Sequence, residues 1–271
     1  METVNTLLRQ RPVQTPVRMP GDRAIAWFSC GAASAVAAKI ALNEYGEKCE
    51  IVYCDTSSDE HPDNLRFLND CENWFERKIV RLKSKEFADR WEVYLKTNYL
   101  VGHIGARCTT ELKKKLRFEY QQPDDLHIFG FTLEERHRIN RLKKNNPELY
   151  VYFPLLTHSI KKNDCYAMLA KAGIELPEMY KMGYSNNNCI GCVKGQAGYW
   201  NKIRKDFPDV FDRMAKEERR LNISCVRMMR DGKTVSVFLD ELKPDTGNYN
   251  HEPDISCDIL CHATYHKIEA I

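Results

Sequence analysis

The chain has 271 residues, 43% hydrophobic and 29% charged, with 41 Lys and Arg against 38 Asp and Glu for a net charge of +3. That is ordinary composition for a globular protein with a sizeable core, and 13 Gly, 11 Pro and 10% aromatics exclude collagen-like, low-complexity and disordered classes. No apolar run approaches the roughly 18 residues of a membrane helix, and the charge is too mild to imply nucleic acid by itself.

Residues 1–21 read as a polar arm without the apolar stretch of a signal peptide, so a soluble, cytoplasmic protein is expected. Residues 24–28 are an apolar run that predicts a buried strand. Ser29-Cys30-Gly31-Ala32-Ala33-Ser34 follows, then residues 35–42, rich in strong helix formers. Further strands are predicted at 49–54, 78–82 and 126–130, with helices at 64–76 and 87–94. After about residue 150 the pattern changes. A helix is predicted over 162–172, ended by Gly173, then a loop over 177–200, a helix over 211–221, a short strand over 235–239 and an irregular tail. Strands alternating with helices predict an α/β fold, a doubly wound, mostly parallel sheet. The expected organisation is a polar arm (1–21), a nucleotide-binding α/β domain (22–200) and a cysteine-bearing C-terminal extension (201–271).

Eleven cysteines, an odd number in a chain with no evident signal peptide, argue for a reducing compartment over a disulfide framework. Most read as small buried hydrophobes; Cys189/Cys192 and Cys257/Cys261 are spaced closely enough to suggest more. Cys189-Ile-Gly-Cys192 in a Gly/Asn-rich loop has the spacing of half a thiolate metal site, suited equally to iron–sulfur and to zinc.

The turn at 29–34 suits an anion. Backbone N–H groups at a helix N-terminus point outward, small side chains let phosphate approach, and Ser29 and Ser34 add hydroxyls. It is neither a Walker A loop nor a Gly-x-Gly-x-x-Gly fingerprint.

Six ordered segments within roughly 22–200 resemble one family. Residues 28–36 are similar to the modified phosphate loop (PP-loop) of the adenine nucleotide α-hydrolase superfamily, in its phosphoadenosine-phosphosulfate (PAPS) reductase-like branch. Asp55-Thr56 resembles that family's Asp-Thr-Gly, and Arg107 to Lys113 its Arg-x-Cys-Thr-x-x-Leu-Lys block. Residues 130–138 resemble its Gly-x-Arg-x-x-Glu…Arg block. Pro154-Leu155, Leu176-Pro177, Tyr180 to Gly183 and the Cys189–Cys192 motif resemble the run that follows.

The resemblance implies an adenine nucleotide, ATP or PAPS-like, on Ser29, Gly31, Ala32, Ala33, Ser34, Asp55, Thr56, Gly130, Glu135 and Arg136. It implies a [4Fe–4S] cluster on Cys108, Cys189 and Cys192, with Cys261, Cys257 or no residue as the fourth ligand; zinc, or free redox-active thiols, are the alternatives. Cys257, in a tail similar to the Glu-Cys-Gly-Leu-His tail of sulfonucleotide reductases, would be the nucleophile, with Lys113 and Arg138 catalytic beside it; Cys257 as a metal ligand is the alternative. The departures are specific. Cys30 replaces the loop's first Gly, and Ala33 replaces the Asp expected to assist Mg²⁺, which leans toward chemistry that leaves the α–β phosphate linkage intact. Thr109 stands where the cluster-binding branch has a second cysteine.

Arg107, Lys113, Arg136, Arg138 and Lys194 are suited to pair with sulfate or phosphate oxygens, His103 and His137 less so. Trp27, Trp74, Trp91 and Trp200 read as packing, with Tyr199-Trp200 a candidate pocket floor. The expected function is a PAPS reductase-like enzyme. The alternatives are an ATP-dependent sulfur transferase thiolating tRNA or DNA, and a non-catalytic nucleotide- or cluster-binding module. Expected partners are the nucleotide, a thiol reductant such as thioredoxin and a second copy in a homodimer. Nucleic acid belongs to the transferase alternative, and no membrane partner is expected.

Overall fold

The computed structural model describes residues 17–102, 105–230, 232–255 and 257. Ala24–Phe28 (β1) is buried along its whole length, as a strand covered on both faces must be. It pairs in parallel with Cys49–Cys54 (β2) and Leu126–Ile128 (β4), with Ala24 opposite both Cys49 and Leu126. Val80–Leu82 (β3) extends the sheet beyond β2, and Tyr150–Tyr152 (β5) beyond β4, both in parallel. The order β3-β2-β1-β4-β5 reverses direction between β1 and β4. That switch point, at the carboxyl ends of the strands, is where open α/β sheets bind ligands.

The period-2 alternation of β1 assigns its side chains to two cores. Ala24, Ala26 and Phe28 face Ala32–Tyr45 (α1), Asn64–Phe75 (α2) and Lys162–Lys171 (α6). Ile25 and Trp27 face Phe129, Phe131, Phe153 and the inner side of Arg136–Asn145 (α5). The doubly wound α/β architecture expected from the sequence is the one the chain adopts. A third cluster lies beyond the carboxyl ends of the strands. It joins Arg90–Thr97 (α3), Ala197–Asp206 (α7), Pro208–Leu221 (α8) and the antiparallel hairpin of Val226–Arg230 (β6) with Lys233–Val237 (β7). Residues on both sides of position 200 share this core.

Several helices were not predicted. Arg107–Thr109 runs through a π turn, Thr110–Lys114, into Lys115–Tyr120, together α4. The π turn breaks the 3.6-residue period on which the prediction rests. In α5 only Ile139 and Leu142 are buried, too few to mark a helix among so many cations. The predicted loop over 177–200 contains the short helix Glu178–Lys181 and the start of α7. The predicted strand over 235–239 is the second arm of the hairpin, Lys233–Val237. Among the described residues, no helix is long and apolar enough to cross a membrane.

Candidate functional site

The small-residue loop leaves β1 at the switch point, and Gly31 caps α1. Ser34 Oγ donates to the Gly31 carbonyl at 2.9 Å and accepts from the Ser29 N–H at 3.1 Å, folding the loop back on itself. Cys30, where the resembled loop has Gly, adopts φ 56°. This left-handed conformation costs a non-glycine residue about 1 kcal/mol or more. Its thiol is fully buried, 3.5 Å from the Asn64 carbonyl, and its own carbonyl accepts from Asn187 Nδ2 at 2.6 Å. Gly130, past the end of β4, is required by close approach: a Cβ there would lie 2.7 Å from Ser34 Cα.

The loop forms one wall of a cleft of about 210 Å³. Ser29, Gly31, Ala33 and Ser34 line it with Thr56, Gly130, Glu135 and Arg138. Cys108, Thr109, Leu112 and Lys113 of α4 line the same cleft; they stand at i, i+1, i+4 and i+5, neighbouring positions of one helical face. Cys189 and Cys192 enter from the Asn-rich loop, and Cys257 from the tail. Cys54, expected only as a core residue, also reaches the wall.

The Cys-Ile-Gly-Cys turn is braced from several sides. Gly191 adopts φ 70°, and its carbonyl accepts from the guanidinium of Arg90 at 3.1 Å. Arg90 is itself paired with Asp59 at 3.5 Å, both buried, while the Asp59 carbonyl accepts from the Ile190 N–H at 2.9 Å. Tyr199 Oη accepts from the Cys192 N–H at 2.9 Å and donates to the Cys189 carbonyl at 3.3 Å. The tail is anchored similarly. Glu252 accepts from the Gly198 and Tyr199 N–H groups at the start of α7, and Asn188 Nδ2 donates to the Ile255 carbonyl. Cys257 Sγ then lies 3.2 Å from Thr109 Oγ1.

Burial governs the electrostatics. It pushes the Cys108 thiol up to about 11, with Cys257 and Cys192 acting in the same direction, and it raises Cys189 and Cys192 as well. Burial alone would lower Lys113, but the neighbouring Cys257, Cys189 and Glu60 outweigh it and hold the ammonium above the usual lysine range. The site therefore sets one cation beside desolvated thiols, which ionise only against that cation or a bound metal. These donors suit an iron–sulfur cluster or zinc by their chemistry. Among the described residues, no three His, Cys, Asp or Glu side chains are assembled closely enough to hold a metal ion.

Other expected residues fall outside the cleft lining. Asp55 accepts from the Ser57 N–H at 3.0 Å, Ala32 starts α1, and Arg136 and His137 are exposed. Arg107 pairs with Glu111 at 2.8 Å, and Lys194 does not line the cleft. Trp200 is fully buried against Phe211. Cys261 and His103 lie outside the described residues. Sequence reasoning missed Asp59, Glu60, Arg90, Asn64 and Asn187. Buried Glu60 accepts from Tyr53, Thr56 and Asn64 at 2.9, 2.6 and 2.7 Å. The run of polar residues after β2, ending in Asp59-Glu60, was the available signal.

No family model matches the chain. An uncharacterised protein of Methanocaldococcus jannaschii is 24% identical over 195 residues, 69% of this chain and 39% of that protein. The chain thus spans about two fifths of that relative's length. Among solved structures, a U34-tRNA thiolase of Methanococcus maripaludis with its [4Fe-4S] cluster overlays with a TM-score of 0.40 at 10% identity. The overlay covers 79% of this chain and 72% of that one. At that score the overlay assigns no reaction to this chain.

Proposed function

We propose that the protein is an enzyme that binds an adenine nucleotide by its phosphates and performs sulfur chemistry with its cleft thiols. The observation that carries this reading is the shared cleft: Ser29, Gly31, Ala33 and Ser34 of the phosphate loop and the thiols of Cys108, Cys189, Cys192 and Cys257 line one cavity, with Lys113 among them. The loop offers N–H groups and hydroxyls but no carboxylate, and the nearby Asp59 and Glu60 are already engaged. This favours chemistry at the nucleotide's sulfur over metal-assisted splitting of the α–β linkage.

In the reductase reading, the Cys257 thiolate attacks the sulfur of a bound sulfonucleotide, the S–O bond breaks and the nucleotide phosphate leaves. A second thiol attacks the resulting S–S bond and releases sulfite, and a dithiol such as thioredoxin reduces the disulfide left behind. Lys113 neutralises the departing oxyanion. Cys108, Cys189 and Cys192, with Cys257 or Cys261, would have to draw closer together to hold a cluster or zinc, which when bound supplies Lewis-acid or sulfur-accepting chemistry. ATP-dependent sulfur transfer to nucleic acid is a second reading, favoured by the exposed cations of α5 beside the cleft.

Anaerobic purification with iron, sulfide and zinc analysis, followed by thermal melts with ATP and with a sulfonucleotide, tests both. About four irons per chain would identify the cluster. Saturating nucleotide should stabilise the wild type by about 2.7 kcal/mol at a hundredfold excess over Kd, and Gly130→Ala should lose that gain. Sulfite release that Cys257→Ser abolishes supports the reductase; a thiolated base supports the transferase. No stabilisation by either nucleotide overturns both.

A further inference from the structure

The basic clusters of this sequence have different fates in the fold. Arg219 pairs with Asp240 and Glu241, Arg220 pairs with Glu217, and Lys114 and Arg117 are buried. The α5 cluster is the exception. Arg136, Arg141, Lys143 and Lys144 are all exposed, and Arg136, Arg141 and Lys144 form no ion pair among the described residues. At 3.6 residues per turn these cations, with His137 and Asn140, fall within roughly 160° of arc, opposite the buried Ile139 and Leu142.

That arc carries no acidic and no apolar side chain. A membrane-surface helix needs an apolar face to insert, and a protein interface is anchored by aromatic or aliphatic groups; α5 exposes neither. Lys143 and Lys144 suit the dipole in the last turn, but Arg136 stands in the first turn, where the dipole favours negative charge, so helix stability does not account for the whole arc. What the face matches is a regularly spaced chain of phosphates. Its position gives the match a direction, because Glu135, the N-cap of α5, and Arg138, in its first turn, both line the reaction cleft.

We infer that α5 is a docking surface for the phosphate backbone of a nucleic acid, held so that one end of the bound strand meets the cleft. This deepens the second reading above by assigning the surface that holds its nucleic acid, and it rests on that reading only for the role of the cleft. Fluorescence anisotropy of the full chain with labelled total tRNA and with a mixed-sequence DNA duplex tests it across a salt series. The wild type should bind at least one of them with affinity that falls steeply with salt. Arg136→Glu/Arg141→Glu/Lys144→Glu should weaken that binding roughly tenfold or more and flatten the salt slope by about 2–3. Arg219→Glu/Arg220→Glu should change neither. Should the triple variant melt early, Arg141→Gln and Lys144→Gln carry the same test with a smaller loss. Wild-type binding that is absent or insensitive to salt, or α5 variants that bind like wild type, overturns the inference. Stabilisation by nucleotide that persists in the α5 variants separates either outcome from failure of the cleft reading.

Discussion

His127 shows how far a single side chain departs from what its type suggests. It sits fully buried on β4 and accepts a hydrogen bond from Trp27 Nε1 at 3.0 Å, the two rings lying nearly parallel. Burial, with Arg117's charge adding to it, lowers the imidazole from 6.5 to about 4. The folded protein therefore stays unprotonated where the unfolded chain takes up a proton. Stability is full above about pH 6.5 and falls by about 3 kcal/mol as the pH drops toward 4, then levels off. Urea unfolding at pH 7 and 4.5 should show this loss, and His127→Gln should flatten it; an unchanged pH dependence in that variant sinks the account. At this scale the sequence was only partly legible. Composition marked His127 as one histidine among eight, and nothing local announced that Cys30 would take a left-handed backbone or that Cys54 would reach the cleft. Those placements come from tertiary contacts, which spacing does not encode.

At the scale of elements, the buried pair of Asp59 and Arg90 joins the end of β2 and the start of α3 to the thiol-bearing turn. Arg90→Met leaves the Asp59 carboxylate buried without its partner and frees the Gly191 carbonyl. It should cost about 3–5 kcal/mol, measured by chemical denaturation, and lower the metal content of anaerobic preparations. Asp59→Asn/Arg90→Met should recover part of the stability but not the metal content. If the single and double variants are equally stable, the brace is not the pair described. The strands were readable because fully buried parallel strands are short apolar runs: β1 and β2 lie where the runs predicted them. The Cys-x-x-Cys turn was readable from its spacing. Its supports were not, because Arg90 and Tyr199 come from distant segments, and α4 was hidden by the π turn that interrupts its period.

Across the whole molecule, the tail must return over the carboxyl ends of the strands for Cys257 to face the loop. The return depends on close backbone contact at α7: a Cβ on Gly198 would lie 2.4 Å from the Tyr249 N atom. Gly198→Ala should lift the tail and speed maleimide labelling of Cys257, followed peptide by peptide, while leaving the buried Cys71 and Cys165 slow. Unchanged labelling of Cys257 would mean the tail is held otherwise. The sequence suggested that tail and thiol turn both bore chemistry, but the contact between them depends on a fold no linear pattern carries. The Asn187 amide, two residues before Cys189, donates to the Cys30 carbonyl and to Asn64 Oδ1, at 2.6 and 2.8 Å. One planar group thus ties the phosphate loop to the thiol loop. Any ligand whose binding shifts Cys30 exerts leverage on the thiols, and reciprocity requires oxidation or ligation of those thiols to change that ligand's affinity by the same factor.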